Sequence, residues 1–385
     1  MLDSAKQLVR RRVLRGPLLR AWHLRQSRRL DRAYCQQLVR IAGLPVAPTP
    51  RAFFTPARSV HTILFIGDIM WETNELVPEL RKIAEVAVLD LHPALLCKAP
   101  RASAAQVVAA TVKHFADEQA RLDPDVILFY ARASLLSDEV FHHLRQRWTC
   151  PLFGMNLDDK ATFFSYGIFS AADDNYQHWA AQFDLNLTNT IAAVDWYHQR
   201  GLPCLYSPPG VNLPKDLPPP GLSADFEYPF SFVGSARLER QRIVDRLLHF
   251  NIPLTLFGAG WPGNRWVDSP PRIYRNSQMN LGIGLCTATE TQTTVKNRDF
   301  ECPGVGACYV TTYNWELVNH YDLGKEILCY RSVEELIEMY SYYRKRPQDC
   351  LRIAQAAYRR SAAEHTWEQR FRKIFRETGL KLQSG

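Results

Sequence analysis

The chain has 385 residues, 46% hydrophobic and 22% charged, the balance of a globular protein with length enough for two cores. No apolar run reaches eighteen residues, and no leader-length apolar core follows the basic first residues, so neither a transmembrane helix nor a secretory signal is expected. The +8 formal charge is uneven: residues 1–51 hold twelve Lys/Arg against two Asp, so the remainder, +8 less +10, is close to neutral.

Residues 1–42 read as two helical pieces broken near Gly16-Pro17. In the second, Leu30, Tyr34, Leu38 and Ile41 share one helical face, with Arg25, Arg28, Arg29 and Arg32 around it. Such an arm suits an anionic membrane surface at roughly 1 kcal/mol per basic residue. It equally suits packing on the body of the protein with a solvated basic face. Aromatics for base stacking are sparse here, so a nucleic-acid partner is not expected. Residues 43–60, rich in Pro and Ala, read as a linker, which makes 1–60 a basic helical arm and linker.

From His61 the pattern is α/β. Strands are expected at 62–66, 85–90, 125–130, 151–155, 183–187 and 204–206, with helices at 73–84, 102–121, 138–147 and 190–199. Alternation of this kind implies a parallel sheet covered on both faces, with ligands at the carboxyl ends of its strands. This unit is assigned to residues 61–210, and a Pro-rich linker to 211–227. A second α/β unit, 228–362, is expected to hold strands at 230–234, 253–257, 281–286, 307–311 and 326–330, with a helix at 237–249. Residues 363–385 form a closing helical segment. The nine cysteines are scattered, without a C-x-x-C pair, and read as reduced thiols of a cytoplasmic protein.

The stretch Lys296 to Val310 carries the densest chemistry. A helix start there would aim free N–H groups at an anion. Glu301, one turn in, can accept two hydroxyl hydrogens from a ribose, and Arg298 and Lys296 can neutralise a diphosphate. Gly234 and Ser235 occupy a strand-to-helix turn of the same kind, with Arg240 one turn on. For a base that takes an acceptor proton, Asp68, His92 and either Asp158 or Asp159 follow predicted strands. Adjacent residues on an extended chain point to opposite sides, so only one of Asp158 and Asp159 can face a cleft. No metal-ligand spacing, Walker loop or G-x-S-x-G motif is present, so no metal or cofactor is expected.

These motifs resemble those of nucleotide-sugar-dependent glycosyltransferases with two facing Rossmann-like domains, the GT-B fold. The pattern Asn-x-Arg-x-Phe-Glu followed by glycine, here Asn297, Arg298, Phe300, Glu301 and Gly306, is similar to that of the CgeB-like group. Phe232-Val233-Gly234-Ser235 with Glu239-Arg240 resembles the opening of that family's second domain, and Glu364 to Arg370 its closing motif. The resemblance implies an α/β protein of two Rossmann-like domains facing across a cleft, preceded by the basic arm. It implies a nucleotide-diphosphate sugar as donor, a UDP-sugar first, on the C-terminal domain. Glu301 would meet its ribose, Asn297, Arg298 and Gly306 would complete the motif, and Gly258 would lie near the base. A glycan, lipid-linked or protein acceptor would lie on the N-terminal domain, the closing helix would cross back to brace that domain, and the arm would hold the enzyme peripherally at the cytoplasmic face of a membrane. The first glutamate of the Glu-x7-Glu motif of retaining relatives is replaced by Thr293, which leaves retention or inversion open. The alternative is a non-catalytic nucleotide- or sugar-binding component on the same scaffold.

Overall fold

The computed structural model describes residues 59–67, 72–97, 102–130, 132–163, 176–215, 217, 220, 225–263, 267, 270–286 and 291–382, together with Arg25, Arg28 and Arg32. The basic arm and Asp68 therefore lie outside the described residues, apart from those three arginines.

Thirteen strands are described: β1 (Ser59–Val60), β2 (Thr62–Gly67), β3 (Glu85–Asp90), β4 (Val126–Tyr130), β5 (Leu152–Asn156), β6 (Leu185–Thr188), β7 (Cys204–Tyr206), β8 (Tyr228–Val233), β9 (Leu254–Phe257), β10 (Ser277–Leu281), β11 (Tyr309–Thr312), β12 (Leu328–Tyr330) and β13 (Lys381–Leu382). Six form the N-terminal sheet, ordered β3-β2-β4-β5-β6-β7, and five the C-terminal sheet, ordered β12-β11-β10-β8-β9. All pairings are parallel. Alternate residues of the N-terminal strands supply two cores. Leu64, Ile66, Ile127 and Phe129 pack under the helices Ala104–Glu118, Asp138–Arg147 and Ile191–His198. Ile63, Phe65, Val126, Leu128 and Phe153 point the other way. This is why the strands read as continuous apolar runs.

The second face is covered by helix Glu72–Leu80 and by Trp367–Thr378, the last helix of the chain. That helix carries Trp367, Phe371, Ile374 and Phe375, each at most 3% exposed. Burying each contributes about 1.5–3 kcal/mol. Thr366 and Gln369 close a capping box at its start, and β13 beyond it pairs with β1. Ser59 and Val60, expected as linker, are thus a strand, ordered by a partner more than 300 residues away that no local pattern reveals.

The chain crosses between the domains twice, side by side. Val211 donates its amide to His365 O at 2.9 Å, and Trp367 donates to Val211 O at 3.2 Å. A Cβ on Gly210 would sit 2.6 Å from the Trp367 amide nitrogen, so only glycine permits this approach. Arg370 donates to His365 Nδ1 and to Pro209 O, while His365 Nε2 donates to His320 O, which fixes the neutral tautomer of His365. Burial and the Arg370 charge hold its pKa down to about 4. The closing motif Glu364 to Arg370 therefore builds the crossing.

In the C-terminal sheet, one strand differs from expectation. β10 spans 277–281, and 281–286 runs out of it into a loop. Ser277 and Asn280 make β10 look polar, but both are buried and joined in one hydrogen-bonded chain: Ser277 donates to Ser231, Ser231 donates to Asn280 Oδ1, and Asn280 Nδ2 donates to Tyr274 and Cys308 carbonyls. Each polar atom in this chain has a partner, so the strand tolerates burial.

Candidate functional site

β8 delivers Phe232, Val233 and then Gly234 to the carboxyl edge of the C-terminal sheet. Helix Leu238–His249 follows, and its first turn carries Arg240. The shorter helix Arg298–Gly304 arrives alongside with Arg298 and Glu301. The guanidinium carbons of Arg298 and Arg240 lie 5.2 Å and 5.8 Å from the centre of the Phe232 ring, which is fully buried and offers a cation–π floor to both. Arg298 Nη1 donates to Val233 O at 2.9 Å, and Arg240 Nη1 donates to Ser235 O at 3.0 Å and to its hydroxyl at 3.3 Å.

Gly234 lies between the two arginines at φ 152°. A Cβ there would come 2.8 Å from Arg298 Nη1 and 3.2 Å from Arg240 Nη1. Gly258, at φ 112°, lets the end of β9 touch Gly234, where a Cβ would stand 2.6 Å from Gly234 O. Trp261 holds the same carbonyl through its indole N–H at 2.6 Å. The turn is thus braced from outside, leaving two like charges converging on it. Burial, with Arg298 and Arg237 adding to it, pushes the Arg240 pKa down to about 9. Among the described residues Arg298 Nε has no hydrogen-bond partner although it is buried. A multivalent anion would relieve both conditions.

Glu301 receives a 3.4 Å hydrogen bond from the Tyr274 hydroxyl. Burial raises its pKa, with Arg298 opposing. Across the cleft stands Glu75, on helix Glu72–Leu80 of the N-terminal domain, taking the Asn212 amide at 3.3 Å. Burial, then the Glu301 charge, pushes Glu75 up to about 8. Glu75 was not among the expected residues; nothing in its own neighbourhood of sequence distinguishes it from a solvated helical glutamate.

The two neighbouring aspartates part ways. Asp159 is fully buried, accepting from Asn156 Nδ2 at 2.6 Å and Tyr197 OH at 3.0 Å. Burial pushes its pKa up to about 7 against the hydrogen bonds of Thr188, Tyr197 and Asn156. Its hydrogen-bond partners lie within the N-terminal domain and none of it is exposed, so it does not present a carboxylate to the cleft as the expected base would. Asp158 is the exposed partner, its side chain 56% accessible and joined to Lys296 Nζ at 3.0 Å across the domains. It lies near enough to Arg240 to support that charge.

The other expected residues divide in the same way. His92 begins the short helix His92–Leu96 beyond β3, an edge strand, with its amide held by Asp90 at 2.8 Å. Asn297 precedes Arg298 without a side-chain cap bond. Gly306 is on the far side: it stands before β11, at the amino edge of the sheet, and a Cβ there would meet Pro220 Cγ at 2.6 Å. Its φ of 74°, left-handed backbone that glycine adopts without strain, turns the chain out of a helix.

One further pair joins the domains. Lys160 Nζ meets Glu316 Oε1 at 2.6 Å and donates to Thr293 O at 2.8 Å; the Lys160 side chain is 7% exposed and that of Glu316 not at all. The other Glu316 oxygen takes the Ile191 amide, and Asn189 donates to Val295 O. Among the described residues no group of three or more His, Cys, Asp or Glu side chains is placed to hold a metal ion, and no helix is long and apolar enough to cross a membrane.

Two parallel-sheet domains facing across such a cleft constitute the GT-B architecture, and solved structures agree. The chain is similar to sucrose-phosphate synthase from Thermosynechococcus elongatus at TM-score 0.54 and 13% identity, over 82% of this chain and 98% of that one. It is similar to Anabaena HepE in complex with UDP at TM-score 0.52 and 11% identity, again over 82% and 98%. A UDP-N-acetylglucosamine 2-epimerase structure matches at TM-score 0.50 and 12% identity, over 85% and 100%. Residues 239–376, from the Arg240 turn through the closing helix, match the family described as glycosyl transferase-like. No curated protein matches the chain.

Proposed function

We propose that the protein is a glycosyltransferase that takes its sugar from a nucleotide-diphosphate donor, a UDP-sugar first. The observation that carries this reading is the convergence of Arg298 and Arg240 on Gly234 over the Phe232 ring, with Arg298 Nε buried and unpartnered among the described residues. The diphosphate would lie at that turn and the ribose against Glu301. When the sugar leaves the nucleotide, negative charge grows on the diphosphate, and the two guanidiniums would hold that charge more tightly than the ground state. The reaction so read needs no metal ion.

The base that takes the acceptor proton would be Asp158, the one of the adjacent pair that reaches the cleft. Its ion pair with Lys296 would open to admit the acceptor. Asp68 stays a second candidate by its place after β2. Within the glycosyl transferase-like class, the Asn297-x-Arg298-x-Phe300-Glu301 pattern favours the CgeB-like group, and a polysaccharide or lipid-linked acceptor at a cytoplasmic membrane face fits the basic arm.

The test is calorimetric titration of UDP, GDP, dTDP, CMP and ADP, followed by sugar transfer with the tightest. One nucleotide should bind, with Glu301→Ala weakening it about ten- to a hundredfold. Asp158→Asn should keep that affinity and lose on the order of a hundredfold or more in turnover. Binding without acceptor-dependent release of the nucleotide would favour a nucleotide-binding component, and absence of all binding would end the reading.

A further inference from the structure

β5 ends at Asn156, whose backbone is fixed by pairing with Thr188 of β6. Its side chain is buried and bonds to the turn that carries Asp158 through both ends of its amide. Oδ1 accepts the Asp158 amide at 3.1 Å. Nδ2 donates to Asp159 Oδ1 at 2.6 Å and to the Thr162 hydroxyl at 3.0 Å. That hydroxyl in turn donates to Asp158 O at 3.0 Å. The main chain of Asp158 is therefore held at its N–H and at its carbonyl by one connected set of side chains. The set is anchored beyond the turn. Tyr197, on helix Ile191–His198, donates to Asp159 Oδ1 at 3.0 Å, and Lys160 is pinned by Glu316 and Thr293 O.

An aspartate at the start of a helix ordinarily folds its carboxylate back onto the first free N–H groups. Asp158 stands at that position before helix Asp159–Thr162 and makes no such bond. Its carboxylate is left exposed, meeting Lys296 Nζ across the cleft. We infer that Asn156 is a positioning residue for sugar transfer, holding the Asp158 backbone so that its carboxylate stands where the acceptor proton is taken. The inference rests on Asp158 being the base, as proposed above. In that step the acceptor oxygen bonds to the anomeric carbon, the bond from that carbon to the diphosphate breaks, the acceptor proton passes to Asp158, and the nucleotide leaves with the bonding electrons.

Only an amide of this length supplies both groups: aspartate keeps the acceptor and loses the donor, and leucine keeps the shape and loses both. The wild-type amide can donate to Asp159 in either of its protonation states. In Asn156→Asp, two carboxyl oxygens would meet across the 2.6 Å now spanned from Nδ2 to Asp159, and they stay together only while they share a proton. The other titratable groups facing Asp159 are Asp158 on the turn itself, Tyr197, Tyr176 on helix Tyr176–Trp179 and Cys204 on β7. Burial pushes both tyrosines and the cysteine well above their ordinary values, so loss of the shared proton is what breaks this variant's network near neutral pH.

The experiment is release of UDP from UDP-glucose and UDP-N-acetylglucosamine, with water as acceptor, by the full chain and its variants from about pH 5.5 to about pH 8. UDP affinity is measured alongside by calorimetry, and the variants are crystallised. Asn156→Leu should lower kcat on the order of a hundredfold, as about 1 Å of displacement at a reacting group does, with KM for the UDP-sugar and Kd for UDP within about twofold of wild type. Asn156→Asp should approach the wild-type kcat at about pH 5.5 and fall to about a hundredth of it by about pH 8. Crystals should show Asp158 displaced in Asn156→Leu, and in Asn156→Asp on the alkaline side alone; they read the turn even where water is too poor an acceptor. Asn156→Asp under acid conditions keeps the test alive if the leucine variant fails to fold. Asp158→Asn is the reference. If it loses turnover while both Asn156 variants keep the wild-type kcat and pH profile, Asp158 remains the base and the positioning role is overturned. If Asp158→Asn turns over like the wild type, the base reading fails and takes this inference with it. An unmoved Asp158 in Asn156→Leu, or an equal loss at every pH in Asn156→Asp, overturns the positioning role as well.

Discussion

Replacing Arg298 by Met tests the donor site most directly. Methionine keeps an apolar stem against Phe232 and removes the guanidinium, its bond to Val233 O and its charge beside Arg240. A hydrogen bond to a charged group contributes about 1.5–3 kcal/mol, so UDP affinity should fall about ten- to a hundredfold. At a UDP concentration one hundred times the wild-type Kd, the wild type gains about 2.7 kcal/mol of stability. A hundredfold weaker variant at the same concentration gains only about 0.4 kcal/mol. The unliganded variant should behave differently. Loss of the Val233 bond is offset by removal of a like charge next to Arg240 and of a buried unpartnered Nε, so stability without ligand should change by about 1 kcal/mol or less. Calorimetric titration and denaturant melts with and without UDP measure both quantities. Arg298→Lys should fall between, since an ammonium keeps the charge but not the fork. Unchanged UDP affinity in Arg298→Met would refute the placement of the diphosphate. A loss of more than about 3 kcal/mol in the unliganded protein would show that the residue serves the scaffold.

Other consequences follow from the same geometry. The Glu75 pKa is raised from 4.5 to about 8, so the folded protein keeps a proton that the unfolded chain has lost between those values. Stability from this group is complete below about pH 4.5, declines by up to about 1.4 kcal/mol per unit as pH rises, and levels off above about 8. Glu75→Gln should flatten the slope between pH 5.5 and 8 and raise stability at pH 8 in urea melts; an unaltered slope would remove Glu75 from the account. Lys160→Met leaves Glu316 buried without its ammonium and should destabilise by about 3–5 kcal/mol, whereas adding Glu316→Leu should restore most of it. If single and double variants melt alike, the pair does not hold the domains. Gly210→Ala forces a Cβ against the Trp367 amide and should lower stability by about 1–3 kcal/mol; a neutral result would mean that the crossing relaxes freely.

Much of the architecture was legible because it is written locally. Apolar runs separated by helix-period segments located the N-terminal strands within a residue or two, since a parallel strand covered on both faces must be apolar throughout. Arg298 and Glu301 sit one helical turn apart, so their shared face follows from spacing alone. β10 escaped because Ser277 and Asn280 satisfy their polarity through Ser231 on the adjacent strand, a compensation visible only in three dimensions. The Asp158–Asp159 alternation was readable, but which residue faced outward depended on Tyr197, from a distant helix. Glu75 and the Lys160–Glu316 pair were out of reach for the same reason: each gains its meaning from a partner in the other domain.

The double crossing at Val211 and Thr366 has a consequence for synthesis on the ribosome. All six strands of the N-terminal sheet have been made by residue 206, yet half the cover for one face, Trp367 to Thr378, is translated only after the entire C-terminal domain. Until then Ile63, Phe65, Val126, Leu128 and Phe153 lack that lid, and a nascent chain in this condition presents a broad apolar surface to its surroundings. The earlier domain in sequence is therefore the later one to be finished. A nascent chain stalled or cut before residue 367 would be a client for chaperones and not a working half.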